Sequence, residues 1–116
     1  MNNNIDSNPF LEIENPQPLG PGSYEMALPL VKAVNIKPGM RVLEIGAGTG
    51  QIATTLAKHW DVSIVTLEPW EDLNVIHNYA TEKGVGNQVL AINAKAQKLP
   101  FANNSFDAVI GIGSFL

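Results

Sequence analysis

The sequence predicts an α/β fold built on a parallel, doubly wound sheet, and three observations carry that prediction. Short apolar runs of strand composition alternate with helix-forming segments, the pattern that yields parallel strands joined by helical crossovers. One run, Arg41 to Ile45, ends in an acid and breaks into alternating glycines, Glu44-Ile45-Gly46-Ala47-Gly48-Thr49-Gly50, directly before a helix-forming segment. A hydrophobic content of 45% over 116 residues suffices for one packed domain.

Taken in order, residues 1–22 are rich in Asn, Pro and Gly and read as a flexible N-terminal arm ahead of a domain at 23–116. Phe10, Leu11 and Ile13 are the residues able to dock that arm on the body. Ser23 is suited to cap a helix with Glu25 in its first turn. Met26, Leu30, Ala33 and Val34 recur at helical spacing, and Pro29 predicts a kink or a broken turn. Lys37-Pro38-Gly39 turns the chain into the first strand at 41–45. A helix over about 50–59 places Ile52, Leu56 and either Ala53 or His59 on one face, and Asp61 ends it. Val62 to Leu67 is a β-branched second strand closed by Glu68-Pro69. Trp70 to Lys83 carries Leu73, Ile76 and Ala80 at helical spacing, with Gly84 as its stop. Asn87 to Ile92 and Phe106 to Ile112 supply the third and fourth strands.

The charge balance narrows the partners. The net charge is −4, of which residues 1–22 contribute Asp6, Glu12 and Glu14 with no Lys or Arg. The body is nearly neutral and carries no basic stripe, so neither nucleic acid nor a charged membrane surface is an expected partner. There are no cysteines for disulfides or thiolate metal sites. With no leader-like N-terminus and no apolar run near 18 residues, the expectation is a cytoplasmic protein without a bound metal. His59 and His77 read as surface or helix-face residues with no chemistry.

The glycine turn holds the chemistry. Between a strand and a helix start, glycines expose bare backbone and free N–H groups to a ligand. Dinucleotide enzymes space their glycines G-x-G-x-x-G, and the third of those positions here is Gln51. Glu44, two residues before the first glycine, repels a diphosphate and welcomes a cationic amino group. The ligand implied has an ammonium and no phosphates.

Glu44 to Gly50 matches the (D/E)-x-G-x-G-x-G motif, Glu68 ends the second strand, and Leu99-Pro100-Phe101 precedes Ser105-Phe106-Asp107. In these three features, over roughly residues 20–116, the chain resembles the class I S-adenosylmethionine-dependent methyltransferases of small-molecule type. The resemblance implies a Rossmann-like sheet of strand order 3-2-1-4 and S-adenosylmethionine as cofactor. It implies contacts to that cofactor from Glu44, Gly46, Ala47, Gly48 and Gly50 on the first turn. Glu68 would take the ribose hydroxyls, an ionised carboxylate being able to accept two donors. Trp70 would lie against the adenine, and Lys95, Ala96 and Ile112 fall at the remaining positions of the site. Family members commonly have Asp-Ala where this chain has Lys95-Ala96; a lysine cannot accept from the adenine amino group, so weakened cofactor affinity is expected. Asp107 is the one weak candidate for a general base, and its place before the fourth strand suggests a structural role.

The resemblance also implies further strands beyond the fourth. The sequence therefore reads as the N-terminal, cofactor-binding part of a methyltransferase acting on a small-molecule acceptor, truncated after the fourth strand. Its fourth strand would be a bare edge inviting self-association. The alternatives are a non-catalytic cofactor-binding module and, with less support, the NAD-binding half of an oxidoreductase.

Overall fold

The computed structural model describes residues 8–15, 23–45, 50–68, 72–93 and 105–111. In chain order these form a 3-10 turn at Pro9–Glu12, α1 (Ser23–Ala33), β1 (Arg41–Ile45), α2 (Gln51–Trp60), β2 (Ser63–Leu67), α3 (Leu73–Glu82), β3 (Val89–Ile92) and β4 (Ala108–Ile110). The four strands are all parallel, as the alternating pattern predicts, and ordered β3-β2-β1-β4, as the resemblance implied.

Register assigns each strand residue to a face. Val89, Ile64, Val42 and Ala108 form one row across the sheet; Ala91, Thr66, Glu44 and Ile110 form the next on the same face. Against these rows pack Ala27 and Val31 of α1, Ile52, Ala53, Leu56 and Ala57 of α2, and Ile76 and Ala80 of α3. The opposite face carries Leu90, Val65, Leu43 and Val109 in one row. Leu43 is buried there, whereas Leu90 is 53% exposed and Val109 55%. A parallel sheet is ordinarily covered on both faces. Here a shallow groove bounded by Arg41, Val65, Leu90 and Phe106 runs across the second face.

Two helices stop by the same device. Asn35 (φ 58°) and Gly84 (φ 85°) adopt the left-handed conformation just past α1 and α3. The next N–H, of Ile36 or Val85, then reaches back to the carbonyl of Val31 or Ala80. Each of these residues tucks its side chain into the core, closing the helix end against water. Gly84 was legible as a stop, Asn35 was not. Asp61 (φ 55°) ends α2, its N–H donating to the Ala57 carbonyl at 3.0 Å.

Several expectations are corrected. Proline does not break α1, which runs through Pro29 from Ser23 to Ala33. Pro29 is exposed, so the carbonyl deprived of its partner one turn earlier can be satisfied by water. The buried stripe of α1 is Ala27 and Val31, flanked by Tyr24, Leu28, Leu30 and Val34; Met26 is 66% exposed and Ala33 is also outside. With apolar residues over most of its circumference, α1 does not reveal its rotation by spacing, and the small Ala27 decides the close approach. On α2 the inward residue is Ala53, and His59 is exposed. The strands are shorter than predicted, starting at Ser63, Val89 and Ala108.

His77 has a structural role that the sequence did not suggest. Its Nε2 accepts the backbone N–H of Ala91 at 3.0 Å. The carbonyls of Gln88 and Ile92 accept from Ile64 and Glu68, so the alternating backbone turns the Ala91 N–H away from β2, toward the side of β3 that pairs with no strand among the described residues. His77 thus satisfies an edge donor that would otherwise invite another strand.

Part of the expected arm is packed. Phe10 is 1% exposed and stacks on Trp60 at 5.5 Å between ring centroids, and Ile13 lies against the core. Leu11 instead faces solvent. Residues 1–7 and 16–22 of that arm lie outside the described residues. Among the described residues, no helix is long and apolar enough to cross a membrane.

Candidate functional site

Parallel α/β sheets present their ligand sites at the carboxyl ends of the strands, and the acids identified in the sequence stand there. Glu44 is the fourth of the five residues of β1, with Thr66 of β2 beside it on one side and Ile110 of β4 on the other. It points to the helix-covered face and is 1% exposed. The Thr66 hydroxyl, itself fully buried, donates to Glu44 Oε1 at 2.8 Å.

Burial pushes the Glu44 carboxyl from 4.5 up to about 7; the Thr66 hydrogen bond opposes that rise and the nearby charge of Glu68 adds to it. Among the described residues, no basic group contributes to the field at Glu44. The site therefore contains an acid near its midpoint at neutral pH, with no cationic partner among the described residues. Such an acid is about half ionised at neutral pH on its own, and the arrival of a cation completes its ionisation.

Glu68 follows β2 directly and is 4% exposed. Its backbone N–H donates to the Ile92 carbonyl at 2.9 Å, which carries the β2–β3 pairing one residue past the strand and fixes where the acid leaves the sheet. Four residues on, Asp72 caps α3, its Oδ1 accepting the Asn74 N–H at 2.9 Å.

The glycine turn ends at Gly50, with φ 86° and ψ 13°, and the Gly50 carbonyl opens α2 by accepting the Thr54 N–H at 2.9 Å. A Cβ on Gly50 would stand 2.8 Å from Ile76 Cγ2 and 3.4 Å from its Cα. Close packing of the turn on α3, together with the left-handed φ, requires glycine here. Of the other candidates, Gly46, Ala47, Gly48, Trp70, Lys95, Ala96 and Ile112 lie outside the described residues. Asp107 is at the far end of the sheet: its Oδ2 accepts the Arg41 N–H at 2.8 Å and its own N–H donates to the Arg41 carbonyl at 2.7 Å. Arg41 is three residues before Glu44, about 10 Å along the strand, so Asp107 aligns β4 with β1 rather than serving the site.

Sequence reasoning missed two groups. Thr66 passed as one residue of a β-branched run, because its pairing with Glu44 depends on register. Gln51, read only as a departure from the dinucleotide pattern, is 8% exposed and ties three segments together. Its Oε1 accepts the Tyr24 hydroxyl at 2.6 Å and its Nε2 donates to the Asn15 carbonyl at 3.0 Å. The first residue of α2 thus anchors both α1 and the N-terminal segment beside the glycine turn. A glutamine directly after the last glycine, with a tyrosine upstream, was the only trace of this in the sequence.

Two buried carboxylates at the ends of adjacent central strands, beside a helix N-terminus, can accept an ammonium and hydroxyl donors and would repel phosphates.

Comparisons with known proteins agree with this architecture. A family model described as "Methyltransferase domain" matches residues 42–116. A sterol 24-C-methyltransferase of Gibberella zeae is 33% identical over 84 residues, 72% of this chain and 22% of that protein. This chain thus spans about a fifth of that relative's length. Among solved structures, an S-adenosylmethionine-dependent methyltransferase from Thiobacillus denitrificans, in complex with S-adenosylhomocysteine, superposes with a TM-score of 0.66 at 23% identity, over 92% of this chain and 42% of that one. The [4+2]-cyclase SpnF gives a TM-score of 0.68 at 26% identity, over 73% of this chain and 32% of that one.

Proposed function

This chain belongs to the methyltransferase-domain family, and on that premise we propose that it binds S-adenosylmethionine at the carboxyl ends of β1 and β2 for methyl transfer to a small-molecule acceptor. The observation that carries the reading is Glu44, a fully buried carboxyl near the end of β1 with no cationic partner among the described residues. The residues fit the group. Glu44 answers an ammonium, Glu68 can accept two ribose hydroxyls, and nothing in the pair suits a diphosphate.

In this reading Gly46, Ala47, Gly48 and Gly50 bring bare backbone to the methionyl part. Trp70 would lie against the adenine, and Lys95, Ala96 and Ile112 would fall at the remaining positions of the site. When bound, S-adenosylmethionine supplies a methyl group on a sulfonium, a leaving group good enough that alignment is the main demand on the protein. Burial of Glu44 and its hydroxyl partner fixes one end of the cofactor, and the Gln51 anchor holds the helix start against which it lies. The domain proper is residues 23–116 preceded by the arm at 1–22, in a cytoplasmic protein. The relatives named sterol 24-C-methyltransferase support a small-molecule acceptor.

A second reading is a cofactor-binding module that does not transfer methyl groups. The structural likeness to a [4+2]-cyclase favours keeping it, since one fold hosts unrelated chemistries. Calorimetric titration of the full-length protein with S-adenosylhomocysteine and, separately, NAD tests both. Binding of the former alone is expected; NAD binding alone would overturn the assignment. Methyl release to an acceptor separates transferase from module.

We further propose that the 116-residue chain by itself associates through the row Leu90–Val65–Leu43–Val109 and the outer edge of β4. Among the described residues β4 pairs on one side only, and its Val109 is more than half exposed. Sedimentation is expected to show oligomers, and Leu90→Lys with Val109→Lys to shift them toward monomer. A monodisperse unmutated monomer would overturn this proposal.

A further inference from the structure

We propose that Thr66 is the positioning residue of the cofactor site, its hydroxyl holding the Glu44 carboxylate in the orientation and ionisation state that receive an ammonium group. The inference rests on the S-adenosylmethionine reading and goes beyond it to a residue that no motif marks.

The argument begins with what Thr66 displaces. Its row and the neighbouring one on this face are otherwise apolar apart from Glu44: Ala91 and Ile110 alongside, Val89, Ile64, Val42 and Ala108 in the next. Valine has the same shape as threonine and would fill this site without burying a hydroxyl. Thr66 is 0% exposed, so its hydroxyl has lost all contact with water, and the recorded partner for it is Glu44 Oε1 at 2.8 Å. The parallel register places the two residues directly opposite each other, which gives the bond a fixed geometry. A β-branched side chain has few rotamers in a strand, so the hydroxyl stays aimed at the acid.

The direction of that bond matters. A hydroxyl that donates to a carboxylate favours its charged form. Among the described residues, the groups beside Glu44 in the sheet are Thr66 from β2 and Ile110 from β4, and the charge acting on it is Glu68, which opposes ionisation. Thr66 is therefore the group, among the described residues, that favours the carboxylate an ammonium requires. It also occupies one oxygen, leaving the other for the ligand.

The test is calorimetric titration of the full-length protein with S-adenosylhomocysteine from pH 6 to 9, on wild type, Thr66→Val and Thr66→Ser. Thr66→Val is expected to weaken binding about tenfold at pH 7, the scale of a lost hydrogen bond to a charged group. The pH at which affinity reaches half its plateau should move upward, and the gap to wild type should narrow by pH 9, where Glu44 ionises without help. Thr66→Ser should restore the wild-type profile. Thr66→Ala, which also lacks the hydroxyl, replaces the valine variant if that does not fold. An affinity loss of the same size at every pH, or an unchanged profile, would overturn the proposal. A wild type that does not bind S-adenosylhomocysteine would instead overturn the cofactor reading on which it stands.

Discussion

Replacing Glu44 with glutamine is expected to abolish a fall in stability between about pH 4.5 and 7 and, at the same time, to cut cofactor affinity about 30-fold. The stability effect follows from linkage. The folded carboxyl lies near 7 against 4.5 for an unburied one, so the native state holds a proton that the unfolded chain has released. For a raised value the contribution is fully present below 4.5 and is lost as pH rises through the folded value near 7. A shift of this size corresponds to about 3 kcal/mol at most. Glutamine does not titrate, so the slope disappears whatever its packing does to the absolute level. The affinity effect has the opposite sense. An ammonium facing a neutral amide loses its charge partner, a loss of about 2 kcal/mol in a buried pair. Wild-type affinity should fall about tenfold for each pH unit below 7, because only the ionised acid pairs, and the glutamine variant should be flat. Thermal melts and titrations across that range check both halves. A wild-type stability that does not decline between pH 4.5 and 7 would show that Glu44 is not buried as described.

Gly50→Ala is expected to destabilise the protein by about 3 kcal/mol. Two costs combine: holding a residue with a Cβ at φ 86°, about 1–2 kcal/mol, and overpacking a filled site, about 1–3 kcal/mol. The overpacking is specific, since the new methyl would meet Ile76 Cγ2 at 2.8 Å and Ile76 is fully buried, with no room to retreat. For a chain of this size the melting temperature should drop by more than about 10 °C. Adding Ile76→Ala relieves the steric part, so the double variant should be less destabilised than the sum of the singles by about 1 kcal/mol, which a double-mutant cycle in denaturant resolves. Strict additivity would show that the backbone conformation alone requires the glycine. The result bears on the proposed function because Gly50 packs the end of the glycine turn on α3. The glycine shapes the site by letting two elements touch.

The fold class was legible from local pattern. Alternation of β-branched runs with amphipathic segments announces a parallel sheet, and Glu44-x-Gly46-x-Gly48-x-Gly50 announces a turn between strand and helix, because strand, helix and turn preferences act over a few neighbouring residues. Glu68 was legible for the same reason, being an acid that closes a strand. The reading failed where the deciding contact joins residues distant in sequence. The spacing of α1 gave Met26 to the core, and packing assigned that place to Ala27. His77 looked idle until β3 brought the Ala91 N–H to it, 14 residues away. Gln51 counted only as a mismatch until Tyr24 and Asn15 converged on it.

By itself, then, the sequence determined that this protein carries an acid before a glycine turn in a parallel α/β sheet. Only the tertiary structure decided what that acid is: register sets Thr66 opposite it, 22 residues on, and burial removes the water that would have kept it an ordinary carboxylate. Ionisation depends on surroundings, and those surroundings exist only once the strands have paired.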